Sequence, residues 1–298
     1  MMRLAFLLLT LACADRPPPL VEAHRTGAGY WPENSAYGVE AALLAGFDGI
    51  EVDLVLTRDL VPVLHHDPAV STEHCTRTDG RKVPTDWLIR DIPWEELQRE
   101  VRCGGAPDDA FPQALLVSEP ILALDDMLGM VREHGDADTL IHLDIKQEPG
   151  LTLPPETFAE AIMGRWVEAD LPHRLHVSSN LADVLQAFRR EASLSRISVE
   201  TTLIWPRFPV GASTSRVALQ QEGALLAGTQ DYVRLAQDAD VDHIALNWEL
   251  ADRHLAAVAQ REGIGIMLWT PNDAKVLDRL ARRWPVDVLI TDYPGELP

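Results

Sequence analysis

Basic residues are scarce in this chain. Lys and Arg total 26 against 46 Asp and Glu in 298 residues, a formal net charge of −20. Such a chain repels a phosphate backbone and lacks the basic footprint on which nucleic-acid binding depends. Cysteine is scarcer still: three residues, at 13, 75 and 103, with no CxxC spacing, so a thiolate zinc site is not expected. No GxGxxG follows any strand-like segment, which argues against an open dinucleotide-binding sheet. The apolar run at 4–12 falls well short of the ~20 residues of a spanning helix, and there is neither an internal repeat nor a low-complexity stretch. What remains is 46% hydrophobic and 24% charged residues, enough for a sizeable core. The length suits two average domains or one (β/α) barrel. An acidic protein can still act on a phosphate ester where a bound cation or a few local basic residues reverse the field.

The amino terminus reads as an address. Met1 to Arg3 give a short basic n-region, and 4–12 are apolar apart from Thr10, the pattern of an export signal. Thr10-Leu11-Ala12-Cys13 is similar to the acylation site of bacterial lipoproteins. The expectation is therefore an exported chain, periplasmic or extracellular, with membrane attachment through a lipid on Cys13 as its anchored form. Residues 1–19 form the export segment and a proline-rich tether, and 20–298 form the folded unit. The remaining pair, Cys75 and Cys103, is one disulfide in an exported protein or two unrelated thiols in a reducing compartment.

Strand-like and helix-like patterns take turns along the folded unit. β-rich runs fall at 20–24, 49–56, 140–146, 174–178, 197–201, 241–246, 264–269 and 286–291; helical patterns fall at 36–45, 121–133, 155–168, 181–190, 250–262 and 274–283. This alternation predicts an α/β fold with a parallel sheet, and eight such strands match a closed (β/α)8 TIM barrel. A short extra strand is expected at 61–65. Residues 68–120 hold Pro, Gly, Cys and Trp with little periodicity and read as an inserted loop region after the second strand. A second irregular stretch spans 205–215.

Chemistry gathers at strand ends, where barrels place their active sites. His24-Arg25 closes the first strand. In Glu51-Val52-Asp53 the alternation of a strand puts both carboxylates on one face. His66-Asp67 follows the short strand, and Asp144-Ile145-Lys146 sets a carboxylate and an ammonium on one face of another. Three carboxylates in one barrel mouth are costly unless a cation sits among their oxygens, and hard oxygen ligands without thiols suit Ca2+ or Mg2+.

These residues resemble the signature of the glycerophosphodiester phosphodiesterases: His24-Arg25, Pro32-Glu33-Asn34-Ser35, Glu51-Val52-Asp53, Thr57, Asp59, Pro62-Val63 and His66-Asp67. The likeness resumes at Leu143-Asp144-Ile145-Lys146 and ends in Trp269-Thr270-Pro271-Asn272 and Leu289-Ile290-Thr291-Asp292-Tyr293-Pro294. The resemblance implies a barrel with an insertion after the second strand. It also implies one divalent cation, and hydrolysis of a small glycerophosphodiester to glycerol 3-phosphate and an alcohol. It makes His24 and His66 the acid–base pair, Glu51, Asp53 and Asp144 the metal ligands, and Arg25 and Lys146 the phosphate binders. Trp269 becomes a pocket residue at the barrel mouth, with a core aromatic as its plainer reading, while Asn272 and Asp292 are expected to cap a helix or hold a loop. Three departures stand out: Thr26 where the family has glycine, Ser35 where it has threonine, and Asp144 where it has the longer glutamate. Glu148 is a candidate substitute for that shortened ligand. Two other readings are a lysophospholipase D-like enzyme with an apolar channel for an acyl chain, and a binding protein that keeps the barrel without turnover.

Overall fold

The computed structural model describes residues 17–205 and 229–296. The expected export segment, with Cys13, and nearly all of the irregular stretch at 205–215 lie outside them. In chain order the elements are β1 (Leu20–Ala23), α1 (Ala36–Ala45), β2 (Gly49–Leu56), β3 (Pro62–Leu64), β4 (Cys75–Arg77), α2 (Trp94–Glu100), β5 (Val101–Cys103) and α3 (Leu124–His134). There follow β6 (Leu140–Ile145), α4 (Pro155–Ala169), β7 (Arg174–Ser179), α5 (Ala182–Ser195), β8 (Val199–Trp205), α6 (Thr229–Asp238), β9 (His243–Asn247), α7 (Arg253–Arg261), β10 (Gly265–Trp269), α8 (Ala274–Arg283) and β11 (Val288–Thr291).

Eight parallel strands close a ring in the order β1, β2, β6, β7, β8, β9, β10, β11. Leu20 stands opposite Val288 and Glu22 opposite Gly49 at the two seams of β1. This is the (β/α)8 barrel that the alternation predicts. β2 shows why the sequence folds this way. All eight of its residues are buried, with Ile50, Val52 and Leu54 packing into the apolar layer beneath the helices and Glu51 and Asp53 turned inward by the pleat. Each fully buried aliphatic side chain in that layer contributes about 1.5–3 kcal/mol. Helix starts are fixed locally: Ser35 Oγ accepts from Gly38 N at 2.9 Å, and Asp273 caps α8 by accepting from Lys275 N and Val276 N.

The insertion is more ordered than its weak periodicity indicates. β3 folds back antiparallel on β2, and β4 and β5 pair as a small antiparallel sheet in which Cys75 faces Cys103. The two cysteines form a disulfide. Val55, Val63, Val70, Ile89, Ile92, Leu97, Val101 and Ile121 make a second apolar cluster for this region. Two helices, α2 and α6, lie outside the helical patterns read from the sequence. β8 also begins and ends later than expected, because Arg196 takes a left-handed C-cap (φ 59°) and delays the strand.

Candidate active site

Apart from Trp269, the predicted site residues lie at the end of β1, on β2 and β6, and on the loop after β3. Beyond β1 the chain makes one tight turn, His24–Thr26, in which Arg25 (φ 47°) and Thr26 (φ 67°) are both left-handed. Such a conformation costs an L-residue roughly 1–2 kcal/mol. The surroundings hold it: Arg25 N donates to Glu51 Oε2 at 2.7 Å, Asn34 N donates to Arg25 O at 3.2 Å, and the Trp31 indole donates to Thr26 O. Gly38 makes room for Thr26, since a Cβ there would meet its Oγ1 at 2.4 Å. Threonine at this position is thus accommodated by its neighbours, and the turn delivers His24 and Arg25 to the mouth.

Asp53 and Asp144 are direct register partners on β2 and β6, and Glu51 lies one inward position below Asp53. Glu51, Asp53 and Asp144 are all buried, and each offers an oxygen within 4.8 Å of the others. Among the described residues this is the acidic or ligand-bearing cluster that could hold an ion, and Glu148 is outside it. Asp53 is the best neutralised of the three. Lys146 Nζ lies 2.9 Å from its Oδ1, Arg25 Nε 3.3 Å from its Oδ2, and Asn34 Nδ2 donates to Oδ2 at 2.8 Å. Burial opposes its ionisation, but Lys146 and Arg25 outweigh burial and hold the carboxyl well below the usual range. Glu51 is pushed the other way, up to about 7, by burial and then by the negative charge of Asp53. Lys146 also pairs with Asp144 Oδ2, and Arg25 spends its Nη1 on Glu33 at 2.6 Å. Three carboxylates therefore share one ammonium and part of one guanidinium. This all-oxygen set, short of positive charge, fits a hard divalent cation.

The two histidines are held differently. His24 Nδ1 lies 2.6 Å from Asp292 Oδ1, while Asn272 Nδ2 donates to Asp292 Oδ2 at 2.6 Å. Asn272 Oδ1 in turn accepts from Thr291 Oγ1 and Asp292 N, both at 3.0 Å. Burial works against a charged His24, yet Asp292 prevails and its pKa is raised. Among the described residues His66 pairs with its neighbour Asp67, whose Oδ1 lies 2.8 Å from Nδ1, and the side chain is 36% exposed. The adjacent His65 is buried and tied to the backbone of Asp67 and Ser71.

Sequence reasoning placed Asn272 and Asp292 in caps or loops. The α8 cap is Asp273, and Asp292 instead orients His24, with Asn272 behind it. Their place in the last two strand motifs was the available signal. Glu33 and Asn34 were visible as motif members, but the contacts to Arg25 and Asp53 were not. Trp269 lies at the end of β10, half-buried against the inner apolar layer of Ala245, Met267, Val288 and Ile290. Beside the site, Trp31, Glu33, His65, Phe111, Leu115 and Leu116 line a cleft between the first barrel loop and the insertion.

Known proteins share this arrangement of the chain. A candidate glycerophosphodiester phosphodiesterase of Bacillus subtilis, YhdW, is 26% identical over 273 residues, covering 91% of this chain and 93% of the relative. A candidate glycerophosphoryl diester phosphodiesterase from Silicibacter pomeroyi has a similar fold, with a TM-score of 0.78, 20% identity and coverage of 94% and 92%. A phosphodiesterase from Oleispira antarctica, solved in complex with its product sn-glycerol-3-phosphate, matches with a TM-score of 0.68, 21% identity and coverage of 94% and 95%. The sequence itself matches the glycerophosphoryl diester phosphodiesterase family from residue 24 to residue 296, and the chain belongs to that family.

Proposed function

We propose that this phosphoric diester hydrolase cleaves glycerophosphodiesters to glycerol 3-phosphate and an alcohol, using one divalent cation, Ca2+ or Mg2+, and a pair of histidines. The observation that carries the reading is the buried Glu51–Asp53–Asp144 cluster, with Arg25 and Lys146 on it and two carboxylate-paired histidines at the same mouth. Glu51, Asp53 and Asp144 would hold the cation, which when bound supplies positive charge to the non-bridging phosphate oxygens.

The chain's own residues account for the rest. Lys146 has three N–H donors and commits two of them to carboxylates, and Arg25 keeps Nη2 beyond its contacts to Glu33 and Asp53. Both can therefore bind the phosphate anion that the net charge of the protein would otherwise repel. Asp292 fixes the His24 ring through Nδ1 and leaves Nε2 for the reaction. Because Asp292 favours the protonated form, His24 is suited to donate a proton to the departing alkoxide, while His66, on its more open loop, takes one from the nucleophile. Exported placement, with a lipid on Cys13 as anchor, is part of the same proposal and rests on the pattern at 1–13.

A second reading draws on the cleft. Its walls of Trp31, Phe111 and the half-exposed Leu115 and Leu116 suit an acyl chain, as a lysophospholipase D-like activity requires. One experiment separates the readings: incubation with glycerophosphocholine and with lysophosphatidylcholine, after chelation and after adding back Ca2+ or Mg2+. Cation-dependent glycerol 3-phosphate from the first substrate supports the proposal. Choline from the lysolipid alone moves the assignment to the second reading, and silence on both with ligand binding retained identifies a binding protein.

A further inference from the structure

Below the acidic cluster the barrel interior is polar where barrels are ordinarily filled with branched aliphatic side chains. Glu22, His142 and Ser178, from β1, β6 and β7, are almost completely buried. His142 Nδ1 lies 2.6 Å from Glu22 Oε2, and its Nε2 lies 2.8 Å from Ser178 Oγ. Ser178 Oγ donates to Asp144 Oδ1 at 3.1 Å, the two residues being register partners on adjacent strands.

Proton counting gives this chain of contacts a direction. A carboxylate only accepts, and a serine has one hydroxyl proton. That proton is committed to Asp144, so Ser178 must accept from His142 Nε2–H, and Glu22 accepts from Nδ1–H. Both ring nitrogens of His142 are thus engaged, Nδ1 with Glu22 and Nε2 with Ser178. The neighbouring His176 provides a contrast. It stacks on His142 with ring centroids 4.6 Å apart and bonds to Thr202 Oγ1, which continues to Met267 Sδ at 3.2 Å. That second chain ends in apolar core; the first ends on a carboxylate of the mouth.

We propose that Ser178, backed by His142 and Glu22, is a positioning residue for the cation site. It commits one oxygen of Asp144 to the barrel floor and so turns the other toward the mouth. Asp144 has a short side chain, and this anchor sets its carboxylate before the ion arrives. The inference rests on the reading of Glu51, Asp53 and Asp144 as cation ligands.

Calorimetric titration of CaCl2 and MgCl2 into the full chain tests it, using the parent, Ser178→Ala, Asp144→Glu and the double variant. Ser178→Ala should weaken cation binding by about 10-fold or more. In Asp144→Glu the carboxylate sits one methylene further out, beyond the hydroxyl, and adding Ser178→Ala should then change affinity by less than about twofold. Equal losses in both backgrounds, or a lowered thermal midpoint with unchanged affinity in Ser178→Ala, would show a merely structural hydroxyl and overturn the inference. A parent that binds neither cation would overturn the ligand reading and this inference with it; binding in the parent that Ser178→Ala leaves intact overturns this inference alone.

Discussion

His24 and His66 reach the same mouth from regions built to different standards. His24 stands at the end of a barrel strand, and Asp292, Asn272 and Thr291 form a continuous hydrogen-bonded chain behind it. His66 stands on the loop that leads into the insertion, paired only with the adjacent, 45% exposed Asp67. On the proposed mechanism, the difference teaches that the two halves of an acid–base pair need not be equally preorganised. One is locked by the scaffold, and the other is held by a single, partly exposed neighbour.

The largest test of that comparison removes each imidazole. His24→Ala and His66→Ala should each lower kcat by about 10²–10⁴, measured as glycerol 3-phosphate release under saturating substrate. Near-parent turnover in either would remove that residue from the pair. The partners should then differ. Asp292→Asn, which leaves the ring in place but removes its buried carboxylate, should cost about 10–100-fold in kcat. Asp67→Asn should cost only a few-fold, because an exposed pair is worth roughly 0–1 kcal/mol. Equal effects would erase the distinction.

The disulfide tests the looser side at the level of stability. Replacing Cys75 and Cys103 by alanine should destabilise the insertion by about 3–4 kcal/mol, the entropy of closing a loop of this length. Thermal unfolding would show it as a lower or split transition. In the parent, neither sulfur should react with thiol reagents before reduction.

The smallest effect is a shift in pH dependence. Asp292 raises the His24 pKa against the opposing pull of burial, so the protonated ring persists to higher pH than an ordinary histidine. Asp292→Asn removes the raising charge, and the limb of the kcat/KM profile that His24 controls should move to lower pH. This sign holds whichever proton His24 transfers. A limb that stays in place would mean that Asp292 acts only on position.

Much of this was readable from the chain. Strand alternation in Gly49–Leu56 alone put Glu51 and Asp53 on one face, and their meeting with Asp144 followed from two such strands becoming neighbours. The expected bounds of α1 and α8, 36–45 and 274–283, coincide with the observed helices. The unreadable parts have physical reasons. α2 is only seven residues long and mostly polar, so its few apolar positions do not establish a period. The insertion's core draws on residues from 55 to 121, a set too dispersed for local pattern to reveal. Asp292 and Ser178 act through partners more than 30 residues away in sequence. Such contacts come from strand register around the closed ring, which composition and spacing do not encode.

The central claim is that the three buried carboxylates share a cation. Long-wavelength anomalous scattering from crystals grown with calcium tests it directly. The account predicts a peak about 2.3–2.6 Å from oxygens of Glu51, Asp53 and Asp144. A calcium peak elsewhere, with Lys146 alone bridging Asp53 and Asp144, would contradict it.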